Sequence, residues 1–159
     1  MGEVMKIKNY RFEGFGFPVI FDELPAVKVR GELVPDVDFD KYAKPLIEHI
    51  CARQDVPLSG NQVKFIRNYF GMSLREFAKM LNVTHQSVMR WESHKIASAS
   101  VDANTEIVMR IKIMKRLNSK LSLINQFVDC IDQNDDFYLL RKYRSFDPLK
   151  FDGSLPVKP

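Results

Sequence analysis

The chain has 159 residues, of which 45% are apolar and 28% charged, the mixture of an ordinary globular domain with at most a small appendage. Seven glycines and eight prolines exclude collagen-like and low-complexity classes, no apolar run approaches the roughly 18 residues of a membrane span, and two distant cysteines, Cys51 and Cys130, exclude a disulfide framework or a cysteine-rich zinc site. The net charge of +4 is unevenly spread: residues 57–117 hold 10 Lys/Arg against 4 Asp/Glu, residues 1–56 hold 8 against 10, and residues 118–159 hold 6 against 6, so the middle segment is the one suited to a polyanionic partner.

The first ten residues, MGEVMKIKNY, lack the apolar stretch of a secretory leader, and a reducing cytoplasm is the expected location. Residues 1–9 read as polar and frayed. Over residues 10–37 aromatic and β-branched residues come in short runs broken by Gly14, Gly16, the DELP segment and Arg30-Gly31-Glu32, which predicts a two- or three-stranded antiparallel unit that is short of core and must pack on something else. Asp38 has the character of a helix N-cap. It precedes a helix with Tyr42, Leu46, Ile47 and Ile50 on one face, which Pro45 either kinks or begins. Residues 54–57 read as a linker, dividing an N-terminal unit (1–56) from the rest of the chain.

From Leu58 the pattern changes to short, closely spaced helices. Ser59 and Gln62, then Ser73 and Glu76, spell capping boxes. Asn82-Val83 interrupts the second helix, and Thr84 opens a third. A longer helical stretch begins near Asp102, with Asn118-Ser119 a place where it divides in two. Its apolar residues Ile107, Ile111, Met114, Leu117, Leu121, Ile124, Val128 and Ile131 recur every three or four positions, as one face of a helix requires. Beyond residue 131 an irregular, aromatic and charged tail is expected over residues 132–159.

Residues 74–91 carry the most specific pattern. Two short helices that cross steeply about a tight turn need a small residue at their closest approach, apolar residues facing the partner, and a residue tolerant of positive φ in the turn. Phe77, Ala78, Leu81, Asn82, Val83, Val88 and Trp91 fit all seven positions that these requirements fix, with Asn82 in place of the commoner Gly. The side chains left free of packing after Thr84 are His85, Gln86, Ser87, Met89 and Arg90. Gln86 has the geometry to pair with adenine and Arg90 to pair bidentately with guanine, while His85 and Ser87 are versatile but less informative. Ser73, Thr84 and Ser87 offer hydroxyls near helix N-termini to phosphates, and Arg75 and Lys95 neutralise them.

The stretch LSGNQVKFIRNYFGMSLREFAKMLNVTHQSVMRWESHK resembles the helix-turn-helix of the phage-repressor (Xre/Cro) superfamily, and is closest in style to bacterial antitoxins of the MqsA and HigA type. The resemblance covers residues 58–117. It implies that the helix opened by Thr84 enters the major groove, with His85, Gln86 and Arg90 at base-reading positions, and that Trp91, Glu92 and Lys95 match the family's W-E-x-x-K ending. The upstream segment, residues 10–46, is similar to the zinc-binding part of MqsA-type antitoxins, which contacts the toxin. Here Gly31-Glu32 is kept but the zinc cysteines are absent. Zinc is therefore not expected, and aromatics such as Tyr10, Phe12, Phe17 and Phe21 must hold the unit together.

Other candidates have plainer readings. Glu48, His49 and Cys51 do not all share a helical face and are expected to be structural or solvent-facing. Cys130 is expected to be buried packing, and the acidic residues at 129, 132, 135 and 136 a solvated patch. No phosphate loop or catalytic triad is present, so no enzyme and no cofactor are expected. The fold expected is mainly α within an α+β class: a repressor-like helix-turn-helix bundle over residues 57–131 with a small N-terminal β-hairpin unit. The expected function is a dimeric, sequence-specific DNA-binding repressor acting on an inverted-repeat operator, as the antitoxin or autoregulator of a toxin–antitoxin operon. The candidate dimer surface is Ile107, Ile111, Met114, Leu121, Ile124 and Val128, although the same stripe also suits a core. Two alternatives remain: an antitoxin whose main role is neutralising a toxin protein through residues 1–56 or the tail, and a phage or plasmid regulator without a toxin.

Overall fold

In the computed structural model, which describes residues 5–53, 56–133 and 149–151, the chain opens with β1 (Met5–Phe12), β2 (Val19–Val29) and β3 (Glu32–Pro35). They form an antiparallel sheet in that order, with Phe12 opposite Val19, Met5 opposite Ala26, and Ala26 in turn opposite Pro35. A fourth short strand, β4 (Leu149–Phe151), runs parallel to β2 alongside Val19–Phe21. Three of these features depart from the sequence reading. Residues 5–9 are strand and not frayed, the DELP segment is the middle of β2 and not a turn, and β4 is a strand within the expected irregular tail.

The inward face of the sheet explains the missed continuity. Strict alternation would keep one parity along β2, but Val19 and Phe21 are buried and then Leu24 and Ala26, with Asp22 and Glu23 exposed between them. The partner strand shifts phase at the same level, where Asn9 adopts φ 50, a left-handed conformation that Asn tolerates better than most residues. The expected turn at Arg30-Gly31 is present. It is a two-residue hairpin with both residues at positive φ (51 and 86), the type that matches strand twist.

Asp38 caps α1 (Phe39–Ala52), its Oδ1 accepting from the Lys41 amide. The helix runs through Pro45. It buries Leu46, Ile47, Ile50 and Cys51. Next in the chain are α2 (Gly60–Tyr69), α3 (Leu74–Leu81), α4 (His85–Ser93), α5 (Ala103–Arg116) and α6 (Leu121–Gln133). Six helices and the antiparallel sheet make the described part of the chain a mixed α+β fold. The long helical stretch does divide, with Asn118 at φ 54 between the two segments.

One hydrophobic cluster runs from Phe15 and Phe21 in the sheet unit through Leu46 and Ile50 to Val63, Phe77, Trp91, Ile113 and Phe127. Aromatic edges join the sheet to the helices: Phe65 on α2 lies 5.3 Å from Phe15 and 5.5 Å from Phe17, both in T-shaped contact. The expectation that aromatics hold this unit is met by Phe12, Phe15, Phe17, Phe21 and Tyr42.

The expected linker is tied down in its described part. Pro57 and Leu58 are buried, and the fully buried Arg110 of α5 reaches across to the segment just before them. Its guanidinium donates to the carbonyls of Ile50, Cys51, Arg53 and Val56. Glu106, one helical turn earlier, pairs with it at 3.4 Å and accepts the Leu58 amide at 2.8 Å. An arginine thereby caps a helix end that has no intrahelical partner for its last carbonyls. Residues 54 and 55, the tail residues Phe137, Tyr138, Leu139, Leu140, Tyr143 and Phe146, and the acidic pair Asp135-Asp136 lie outside the described residues.

Candidate nucleic-acid interface

The unit α3–α4 is assembled from local chemistry. Ser73 caps α3 by accepting from the Glu76 amide at 3.1 Å. The helix ends at Asn82, whose φ of 58 and ψ of 42 turn the chain left-handed and let the Val83 amide bond back to the Ala78 carbonyl, the usual way to satisfy a helix C-terminus. Two residues later Thr84 caps α4 through the Ser87 amide, and the two hydroxyls bond each other at 3.0 Å. Phe77, Ala78, Leu81, Val88 and Trp91 are all buried in the core, and Val83, which plugs the turn, is half-buried against it.

A second helix braces this unit. The guanidinium of Arg67 on α2 forks onto the Glu92 carboxylate of α4 at 2.8–3.2 Å and also donates to the Met72 carbonyl. The α2 N-terminus abuts the end of α4 so closely that Gly60 and Asn61 donate to the carbonyls of Ala97 and Lys95. A Cβ on Gly60 would lie 2.5 Å from the Trp91 carbonyl oxygen. Neither the brace nor this close approach is apparent from sequence periodicity.

The remaining side chains face solvent. Ser73, Arg75, Thr84, Gln86, Arg90 and Lys95 are exposed, and His85 and Ser87 are half-buried. An open hollow of about 420 Å³ lies between the two helices, lined by Arg75, Lys79, Thr84, His85 and Gln86 together with the turn residues. Lys79 was not singled out from sequence. Its signal is its position four residues after Arg75, which puts both cations on one face of α3.

Burial also sharpens the charge argument. Two of the four acids in residues 57–117, Glu92 and Glu106, are held by Arg67 and Arg110. What the segment shows to solvent is therefore Lys64, Arg75, Lys79, Arg90, Lys95, Lys112, Lys115 and Arg116 against only Glu76 and Asp102. The surplus is a surface property and is not absorbed by internal pairs. Lys112 also donates to the Met80 carbonyl, and Arg116 stands over the Phe70 ring.

The candidate dimer residues are not brought together. Met114 and Ile124 are buried in the chain's own core, Ile107, Ile111 and Val128 are half-buried, and Leu121 is 68% exposed. The core face of α5 is instead Glu106, Met109, Arg110, Ile113 and Met114, rotated from the expected stripe because two charged residues occupy it as a pair.

On α1, Cys51 is fully buried while His49 is half-buried, and no cluster of three metal-ligating side chains occurs among the described residues. Burial pushes the Cys51 thiol up to about 12, against the pull of Arg110 and with a further push from Glu106 and Glu48, which keeps it protonated and unreactive. Cys130 is half-buried and not fully enclosed. Comparison with family models, curated proteins and solved structures gives no match. Among the described residues no helix is long and apolar enough to cross a membrane.

Proposed function

We propose that α3 and α4 form a helix-turn-helix of the phage-repressor type and that the chain is a sequence-specific DNA-binding repressor. The observation that carries this reading is the outward face of α4, where Gln86 and Arg90 stand exposed beside an excess of surface cations. In this reading α4 lies in the major groove, Gln86 reads adenine and Arg90 guanine, and His85 contacts a base at the helix entrance. Arg75, Lys79 and Lys95 neutralise phosphates, with the hydroxyls of Ser73, Thr84 and Ser87 fixing the register. Occupancy of an operator that overlaps a promoter excludes polymerase.

One recognition helix covers only about four base pairs, so the protein acts as a two-fold dimer on an inverted repeat. The apolar positions available for that contact are Ile107, Ile111, Leu121 and Val128. The biological setting we favour is autoregulation of a toxin–antitoxin operon. Selection of bound duplexes from a random pool tests the reading. The expected product is an inverted repeat with half-site centres about 34 Å apart or a multiple of it. Recovery of no preferred sequence rejects it.

A second reading, in which the main work is neutralising a toxin protein, draws on the β2–β3 hairpin. Val27, Val29, Leu33 and Val34 are each 40–49% exposed there, more apolar surface than a solvated hairpin needs. Rescue of growth against the product of an adjacent gene, lost on Val27→Lys with Val34→Lys, supports that role. Rescue that survives both changes removes the hairpin from it.

A further inference from the structure

Val88 and Trp91 turn one side of α4 into the core. With about 3.6 residues per turn, the opposite side belongs to Gln86, Met89, Arg90 and Ser93. Three of these are polar. Met89 is the exception, and it is 50% exposed between the two side chains best suited to reading bases. A half-exposed methionine gains little from packing at this position, whereas the same side chain in a major groove meets a specific apolar target. The groove edge of thymine carries a C5-methyl group. An unbranched, polarisable thioether on a flexible stem adapts well to such a methyl.

We propose that Met89 reads the methyl group of a thymine in the half-site, as a specificity residue set between the hydrogen-bonding contacts of Gln86 and Arg90. The inference rests on α4 being the recognition helix. It adds a base that hydrogen-bond chemistry alone would not assign, and it implies a half-site in which thymine neighbours the adenine and guanine read by the flanking side chains.

The test uses the full chain and the best duplex recovered by selection. Each thymine is replaced in turn by deoxyuridine, which removes only the C5-methyl group and leaves pairing and the O4 acceptor unchanged. One replacement should weaken wild-type binding about fourfold, the worth of one buried methyl group. Met89→Ala should bind the thymine duplex more weakly by a similar factor and be indifferent to the same replacement. Because Met89 is half exposed, that variant should keep the wild-type circular dichroism. Tight binding that no deoxyuridine replacement alters would overturn the role of Met89 while leaving the DNA-binding reading intact, as would a Met89→Ala variant that keeps the wild-type response. Failure to select any duplex would remove both.

Discussion

Replacing Gly60 by Ala sets two physical effects of opposite sign against each other. Gly60 is the first residue of α2, and helix propensity alone makes Gly→Ala favourable by about 0.5–1 kcal/mol. The structure argues the other way. The new Cβ would lie 2.5 Å from the Trp91 carbonyl oxygen, 2.7 Å from the Lys95 amide nitrogen and 2.9 Å from the Glu92 carbonyl oxygen. All three are backbone atoms, so no side chain can rotate away. Restoring ordinary contact requires α2 and the end of α4 to separate by about 1 Å. That movement stretches the bonds from Gly60 to Ala97 (3.1 Å) and from Asn61 to Lys95 (2.8 Å) beyond useful length. Two backbone bonds lost cost about 1–3 kcal/mol, and strained packing adds to it. After the propensity gain is subtracted, the net effect should be a loss of about 2 kcal/mol, or roughly 4–8 °C in Tm for a chain of this size. Thermal and urea unfolding followed by circular dichroism would measure it. An unchanged or raised Tm would refute the reasoning, because propensity would then have won and the close approach would be soft.

Arg110→Met removes the donor to four carbonyls and leaves Glu106 buried without its cation, so it should cost about 3–5 kcal/mol and lower the urea midpoint more than any surface charge removal; a loss below about 1 kcal/mol would show the pair to be dispensable. The Cys51 thiol is held protonated to about pH 12 against an ordinary value of 9.0, so its contribution is complete below pH 9 and is lost as the pH rises from 9 towards 12, at up to about 1.4 kcal/mol per pH unit. Wild type should therefore lose stability faster than Cys51→Ala over that window, and parallel curves would contradict the burial argument. In DNA binding, Arg90→Ala should cost about 1–3 kcal/mol on the selected site and relax one position, whereas Arg75→Ala should weaken all duplexes and reduce the salt slope by about one; equal losses on specific and random DNA for Arg90→Ala would reject base reading.

Legibility in the sequence tracks the range of the interactions. Asp38, Ser59 and Ser73 were legible as caps, and Thr84 and Asp102 as helix starts, because a capping bond spans three residues. Asn82 was legible as the turn because left-handed backbone selects few residue types. The buried set Phe77, Ala78, Leu81, Val88 and Trp91 was legible because helical periodicity is local. The failures lie where distant segments decide. The DELP segment of β2 carries the signals of a turn, and pairing with β1 keeps it extended. Glu106 and Arg110 look like a solvated i,i+4 pair until the end of α1 and the segment after it, as far as Leu58, close over them, 48 to 60 positions away in sequence. Once they enter the core, the neighbouring stripe turns with them, which moves Met114 inside and leaves Ile107 and Ile111 at the edge. In the candidate site, the outward residues of α4 were legible by subtraction and Lys79 was legible only by its spacing from Arg75, whereas the Arg67–Glu92 brace needed the packing of α2 against α4.

The reach of Arg110 from α5 to the last turn of α1 bears on how the chain comes apart. A guanidinium that is 1% exposed keeps only Glu106 if α1 and the segment after it are absent, because the carbonyls it serves belong to residues 50–56. A fragment beginning at residue 57 would keep all of α2–α6, with Glu106 beside Arg110, but would lose all four carbonyl acceptors and the cover of α1 over the pair. Shortening the protein to its helical half should therefore yield an expanded, weakly cooperative chain and not a smaller folded one. In the intact protein, amide hydrogens at the end of α1 and in the middle of α5 should exchange through one common opening, although the two segments lie more than fifty residues apart.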